Sequence, residues 1–138
     1  MNARQGPRTQ ECTQDHARVR LRQAEAAFEI AKLILDEDDL AMPGTAAALA
    51  VISGIAASDA ACCARLGRRA RGDAHIQAAD VLETVAPGGQ EMAKDLRRLI
   101  NRKDDAHYGM AFVSRSDAEA MIRWAGRLLG LATTAVQA

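Results

Sequence analysis

Aromatic side chains are scarce, at 3% of 138 residues, although hydrophobic residues make up 49%. An interior built from Ala, Leu, Ile, Val and Met suits closely packed helices rather than a ligand-stacking platform. No excess of either charge exists, because 18 basic residues offset 18 acidic ones. That balance removes a whole-protein field that would draw the chain to nucleic acid or membrane, so any charged partner must meet a local patch. Cysteine is limited to Cys12, Cys62 and Cys63. Helix neighbours point about 100° apart, so Cys62 and Cys63 do not easily bridge one another. No zinc-type spacing occurs either, and the expectation is buried, reduced thiols in a cytoplasmic protein. The first fifteen residues, MNARQGPRTQECTQD, lack the apolar stretch of a signal peptide. The longest apolar run is interrupted by Ser53, Gly54, Ser58 and Asp59, so no membrane partner is expected.

What is present is helical periodicity in a length that suits one domain. Residues 1–13 are polar and aperiodic, with Gly6 and Pro7, and are expected to form a flexible tail ahead of a single domain over 14–138. Ala17, Leu21, Ala24, Phe28, Ala31 and Leu35 alternate spacings of four and three, the stripe of an amphipathic helix. The acidic run Asp36 to Asp39, then Pro43 and Gly44, predicts a loop, with Thr45 capping a second helix that runs to Leu66 and stops at Gly67. That helix is apolar nearly all round, which places it at the centre. Its small residues Ala50, Gly54 and Ser58 allow close approach of a neighbour. Asp59 shares a stripe with Ile52, Ile55, Cys62 and Leu66, so its carboxylate needs a partner, either an Arg or the basic groups discussed below.

Asp73 is a plausible cap for a short third helix ending before Pro87, with His75, Ala78, Leu82 and Val85 on one face. A fourth helix follows Gly88 and Gly89 and carries Ala93, Leu96, Ile100, Lys103 and His107 along a stripe that ends near Gly109. Residues 110–113 read as briefly extended, and Ser116 with Glu119 reads as a capping box for a last helix with Met121, Trp124, Leu128 and Leu131 facing inward. No strand pair is expected. The fold class is all-α, an antiparallel bundle of four long helices plus one short helix.

The site-like feature is the fourth helix's end, INRKDDAHYG, which crowds Arg102, Lys103, Asp104, Asp105, His107 and Tyr108. An imidazole beside fixed cations can accept a proton from a ribose 2′-hydroxyl while an Arg stabilises the phosphorane-like transition state. On an ideal helix Arg102 and His107 lie about 140° apart. They meet around one group only if the helix loosens before Gly109 or a second subunit supplies half the site. The bland alternative is an exposed helix end with ion pairs to nearby Asp residues.

The spacing Arg102, four residues, His107 resembles the R-x4-6-H signature of HEPN domains. The phrase GIAASDAACCARLGRRARGDAHIQAADVL, residues 54–82, is similar to the second and third helices of small bacterial HEPN-like proteins. The resemblance implies a homodimer whose motifs meet across the interface to form a metal-independent RNase site. It makes Arg102 and His107 catalytic, with Lys103, Tyr108 and Asp59 in support. RNA and a nucleotidyltransferase-type partner protein are the implied partners, with a toxin or defence role, and neither a cofactor nor a metal is called for. The chain departs from the family pattern in placing Lys103 directly after the Arg and Tyr108 directly after the His. A non-catalytic dimeric module that binds a protein or nucleotide is therefore the alternative. Arg68, Arg69, Arg71, His75 and Arg98, together with Arg65, Lys94 and Arg97, could line an RNA groove if their helices adjoin. Without interleaved aromatics they equally form an ordinary solvated face.

Overall fold

The computed structural model describes residues 8–72, 75–103 and 109–138, and the descriptions below refer to these. The four-and-three stripe near the start becomes helix α1 (Gln14–Leu35), with Ala17, Ala24, Ala27, Ala31 and Leu35 buried. Its start is fixed by Thr13, whose hydroxyl accepts the His16 N–H while His16 Nδ1 accepts the Thr13 N–H in return.

Helix α2 (Met42–Leu66) begins four residues earlier than a cap at Thr45 predicts. Pro43 falls in its first turn, where a missing N–H costs nothing, so a residue read as a breaker instead opens the helix. Thr45 donates its hydroxyl to the Ala41 carbonyl rather than capping. The stop at Gly67 is as expected: the residue is left-handed at φ 71° and its N–H returns to the Cys63 carbonyl. α2 is long and apolar enough to cross a membrane, yet 78% of its most apolar stretch is buried by the other helices. Gly54 is a point of close approach. A Cβ there would stand 2.6 Å from Leu99 Cδ1 and 3.4 Å from Leu128 Cδ2.

Helix α3 (His75–Leu82) is short, and α4 (Gly89–Asn101) follows it. α4 buries Met92, Ala93, Asp95, Leu96 and Leu99, a stripe rotated slightly from the expected one, with Ile100 only partly buried. The last helix, α5 (Arg115–Gln137), is capped by Ser114, which accepts the Asp117 N–H at 3.0 Å, and not by Ser116. Both serines precede an acidic residue by three positions, so pattern alone does not choose the frame.

The ends of the helices fix their directions. At one end Gln14 donates to the Val136 carbonyl and Arg65 to the carbonyls of Ala86 and Ala138. At the other, Arg115 donates to the Leu35 carbonyl and to Asp36. α1 is thus antiparallel to both α2 and α5, and α2 and α5 run parallel to each other, which corrects a uniformly antiparallel arrangement.

The fold is mostly helical, as expected, with one addition. Strand β1 (Thr9–Glu11) pairs antiparallel with β2 (Arg68–Ala70), in register Thr9↔Ala70, Gln10↔Arg69 and Glu11↔Arg68. The expected loose segment therefore does not extend through residues 9–13. A disulfide joins Cys12 to Cys63, with Cα atoms 5.3 Å apart, leaving only Cys62 free and buried. The reading of three reduced thiols is corrected by this fold-back, which brings together two cysteines 51 residues apart.

Candidate functional site

α4 ends at Arg102, whose backbone adopts φ −102° and ψ 0° and whose N–H is shared between the carbonyls of Leu99 and Ile100. That last turn aims the guanidinium at the first turn of α5, where Arg102 Nη2 meets Asp117 Oδ1 at 3.1 Å. Both side chains remain substantially exposed, at 39% and 51%. Arg102, Asp117, Met121 and the 109–114 stretch line an open cleft of about 310 Å³. Val113 is the anchor of that stretch, since it packs against Gly44 at the start of α2. Met110 and Phe112 are left exposed, and Phe112 also lines a second cleft with Leu40 and the acidic loop.

Lys103 follows Arg102 directly and is partly buried. Asp104, Asp105, His107 and Tyr108 lie outside the described residues. Asp59 does not join this group within the protomer. Its carboxylate, 8% exposed, accepts from Arg20 Nε at 3.0 Å and pairs with Arg20 Nη2 at 2.9 Å and Arg69 Nη1 at 3.4 Å. These contacts lie toward the disulfide end of α2, whereas Arg102 sits at the opposite end, where α5 begins. Of the two partners left open for Asp59, the arginine is the one found. Burial pushes its carboxyl above the ordinary 3.8, against the opposing pull of Arg20, Arg69 and, more weakly, His75.

The other basic residues are dispersed, and Arg69, Arg97 and Arg98 among them are paired with carboxylates. Arg69 is committed to Asp59 and Gln10. Arg98 pairs with Asp95 and lies 5.7 Å from the Trp124 ring centroid. Arg97 binds Asp80 and Glu83, joining α4 to α3. Arg68 and Arg71 are exposed at the ribbon, Arg65 is spent on two carbonyls nearby, and His75 opens α3 half-buried. Lys94 shares an open cleft with Glu91 and Asp95. These residues do not line one continuous basic groove.

Sequence reasoning missed Asp95, 4% exposed, and its partner Arg127, which donates through Nη2 at 2.9 Å and Nε at 3.3 Å. The signal was present, because Asp95 occupies the i+3 position between Met92 and Leu99 on the inner stripe. Among the described residues no three His, Cys, Asp or Glu side chains converge to hold a metal ion. No protein-family model matches the chain, and no curated protein is significantly similar to it.

Proposed function

We propose that the chain is a HEPN-like helical bundle and a metal-independent endoribonuclease, working in the cytoplasm as a homodimer with a composite site. The observation that carries this reading is the position of Arg102: a half-exposed guanidinium at the lip of an open cleft, at the turn that leads toward His107. Its one described carboxylate partner, Asp117, is itself solvated, so a phosphate can displace it at small cost. Exposed Met110, Phe112 and Leu40 beside the cleft suit a surface that a second copy covers.

In this mechanism His107 removes the proton from a ribose 2′-hydroxyl, and O2′ attacks the adjacent phosphorus. The P–O5′ bond breaks, the leaving oxygen takes a proton from the imidazolium, and a 2′,3′-cyclic phosphate and a 5′-hydroxyl result. Arg102 stabilises the charge that builds on the non-bridging oxygens. Lys103 adds a second cation, and Tyr108 orders the phosphate. The biological setting fits a toxin or defence protein held silent by a nucleotidyltransferase-type partner.

The test is cleavage of a mixed-sequence RNA in the presence of EDTA. Arg102→Ala and His107→Ala are expected each to lose at least about a hundredfold of activity while keeping the helical circular dichroism signal. Equal cleavage by wild type and His107→Ala removes His107 from the mechanism.

The Arg102–Asp117 pair also favours a second reading, a dimeric module that binds a protein or nucleotide without cleaving RNA. It predicts no cleavage even at stoichiometric protein, with dimerisation intact.

A further inference from the structure

Outside that site, the best-built feature is the junction of β1, β2 and the end of α2. Thr9, Gln10 and Glu11 are all exposed, so β1 contributes no apolar burial to the fold. Besides the ribbon pairing, it is held by the Cys12 N–H to the Gly67 carbonyl at 3.0 Å and the Arg71 N–H to the Arg8 carbonyl at 2.8 Å. Arg69 adds a long contact of 3.5 Å to Gln10. A two-stranded ribbon of this length has marginal stability by itself. The covalent tie is therefore what fastens it.

We propose that Cys12 and Cys63 form a reversible redox strap: oxidised, the pair clamps β1 over β2, and reduction by a dithiol releases residues 8–12 and uncovers the arginine-bearing strand. The helices do not depend on it, because α1, α2 and α5 bury their own apolar faces against one another. What changes is local. Glu11 leaves its place opposite Arg68, so the already exposed Arg68 and Arg71 lose the strand beside them and can meet an anionic partner, while Arg69 keeps its contact to Asp59.

Access is provided by a cleft of about 220 Å³ between α1 and the ribbon, which Cys12 and Cys63 line together with His16, Arg20 and Arg69. Cys12 is partly exposed and Cys63 only 3%, so an incoming thiolate reaches Cys12 Sγ. The nearby guanidinium groups favour an anionic attacker. Attack forms a mixed disulfide at Cys12, and Cys63 Sγ departs as a thiolate that takes a proton from solvent. The reductant's second thiol then closes its own disulfide and releases Cys12 as a thiol, completing a transfer of two electrons and two protons. Hydrogen peroxide reverses the process: it converts one cysteine to a sulfenic acid, which the other thiol condenses with, releasing water. Cys62 does not compete, since it is buried and burial pushes its thiol up to about 12. In a compartment kept reducing by thiols the strap is open, and peroxide stress closes it.

The test is hydrogen exchange read by mass spectrometry on the full chain, air-oxidised and after dithiothreitol, with Cys12→Ser as a permanently open form. Reduction is expected to raise exchange at least about tenfold in residues 8–12 and 67–71, with α1 and α2 unchanged, because local opening is independent of global unfolding. Cys12→Ser should show the open pattern without reductant, and peroxide should restore protection in the wild type alone. Three alkylatable cysteines in the denatured, air-oxidised protein, or ribbon protection unaltered by reduction, overturns the proposal. So does loss of protection throughout α1 and α2, which would make the bond a staple of the whole fold.

Discussion

Asp59 is where a single residue's chemistry reaches furthest into the behaviour of the fold. A buried carboxylate on the central helix is tolerated because Arg20 and Arg69 both reach it. Its folded pKa lies above 3.8, its ordinary value, so between those two values the folded protein binds more protons than the unfolded chain. Stability contributed at this residue therefore rises as pH falls through the folded pKa toward 3.8, the reverse of a carboxylate held down by a surface pair. In denaturant titrations from neutral to acid pH, wild type should gain stability relative to Asp59→Asn. A relative loss on acidification would mean that the two guanidinium groups outweigh burial. Gly89 gives a second prediction at this scale. A Cβ there would stand 2.6 Å from the Leu82 carbonyl oxygen and 2.8 Å from that of Glu83, both backbone atoms. Gly89→Ala should cost about 1–3 kcal/mol by chemical denaturation, whereas Gly130→Ala, with open space around it, should not destabilise. The need of Asp59 for a partner was legible in the sequence from its stripe. That Arg20, 39 residues away, supplies it was not, because partner choice depends on how α1 and α2 are set against each other.

At the scale of elements, periodicity carried the reading and termini defeated it. The stripe from Ala17 to Leu35 is the buried face of α1, and the all-round apolar character of α2 does place it among the others. Helix starts are decided by which of several adequate groups reaches an orphan N–H, so Pro43 and Ser114 were misjudged by a few residues. The ribbon was invisible for a plainer reason. TQE and RRA are three polar or small residues each, with no alternation, and their pairing is stabilised by a contact 51 residues distant in the chain. Asp95 shows how elements are fastened: Arg127 of α5 and Arg98 of α4 converge on it, with α4 supplying the buried carboxylate. Arg127→Ala should cost about 1–3 kcal/mol, since it leaves that carboxylate with one partner. Arg123→Ala, an exposed neighbour on the same helix, should change stability by no more than about 0.5 kcal/mol.

For the molecule as a whole, the charge balance read from composition holds in part locally as well, because three of the arginines singled out as a groove, Arg69, Arg97 and Arg98, are matched with carboxylates. The candidate site was legible as a cluster of residue types, and the structure adds the cleft and the Asp117 contact to Arg102. Its geometry was not legible, because the last turn of α4 and the start of α5 set the direction of the guanidinium. The most direct measurement is of product chemistry: RNA incubated with the protein in EDTA, the ends of each fragment assigned by mass spectrometry. The account predicts 2′,3′-cyclic phosphate and 5′-hydroxyl ends, abolished when the nucleotide 5′ to the break carries 2′-deoxyribose. Fragments with 5′-phosphate ends, or cleavage indifferent to the 2′-hydroxyl, would contradict it.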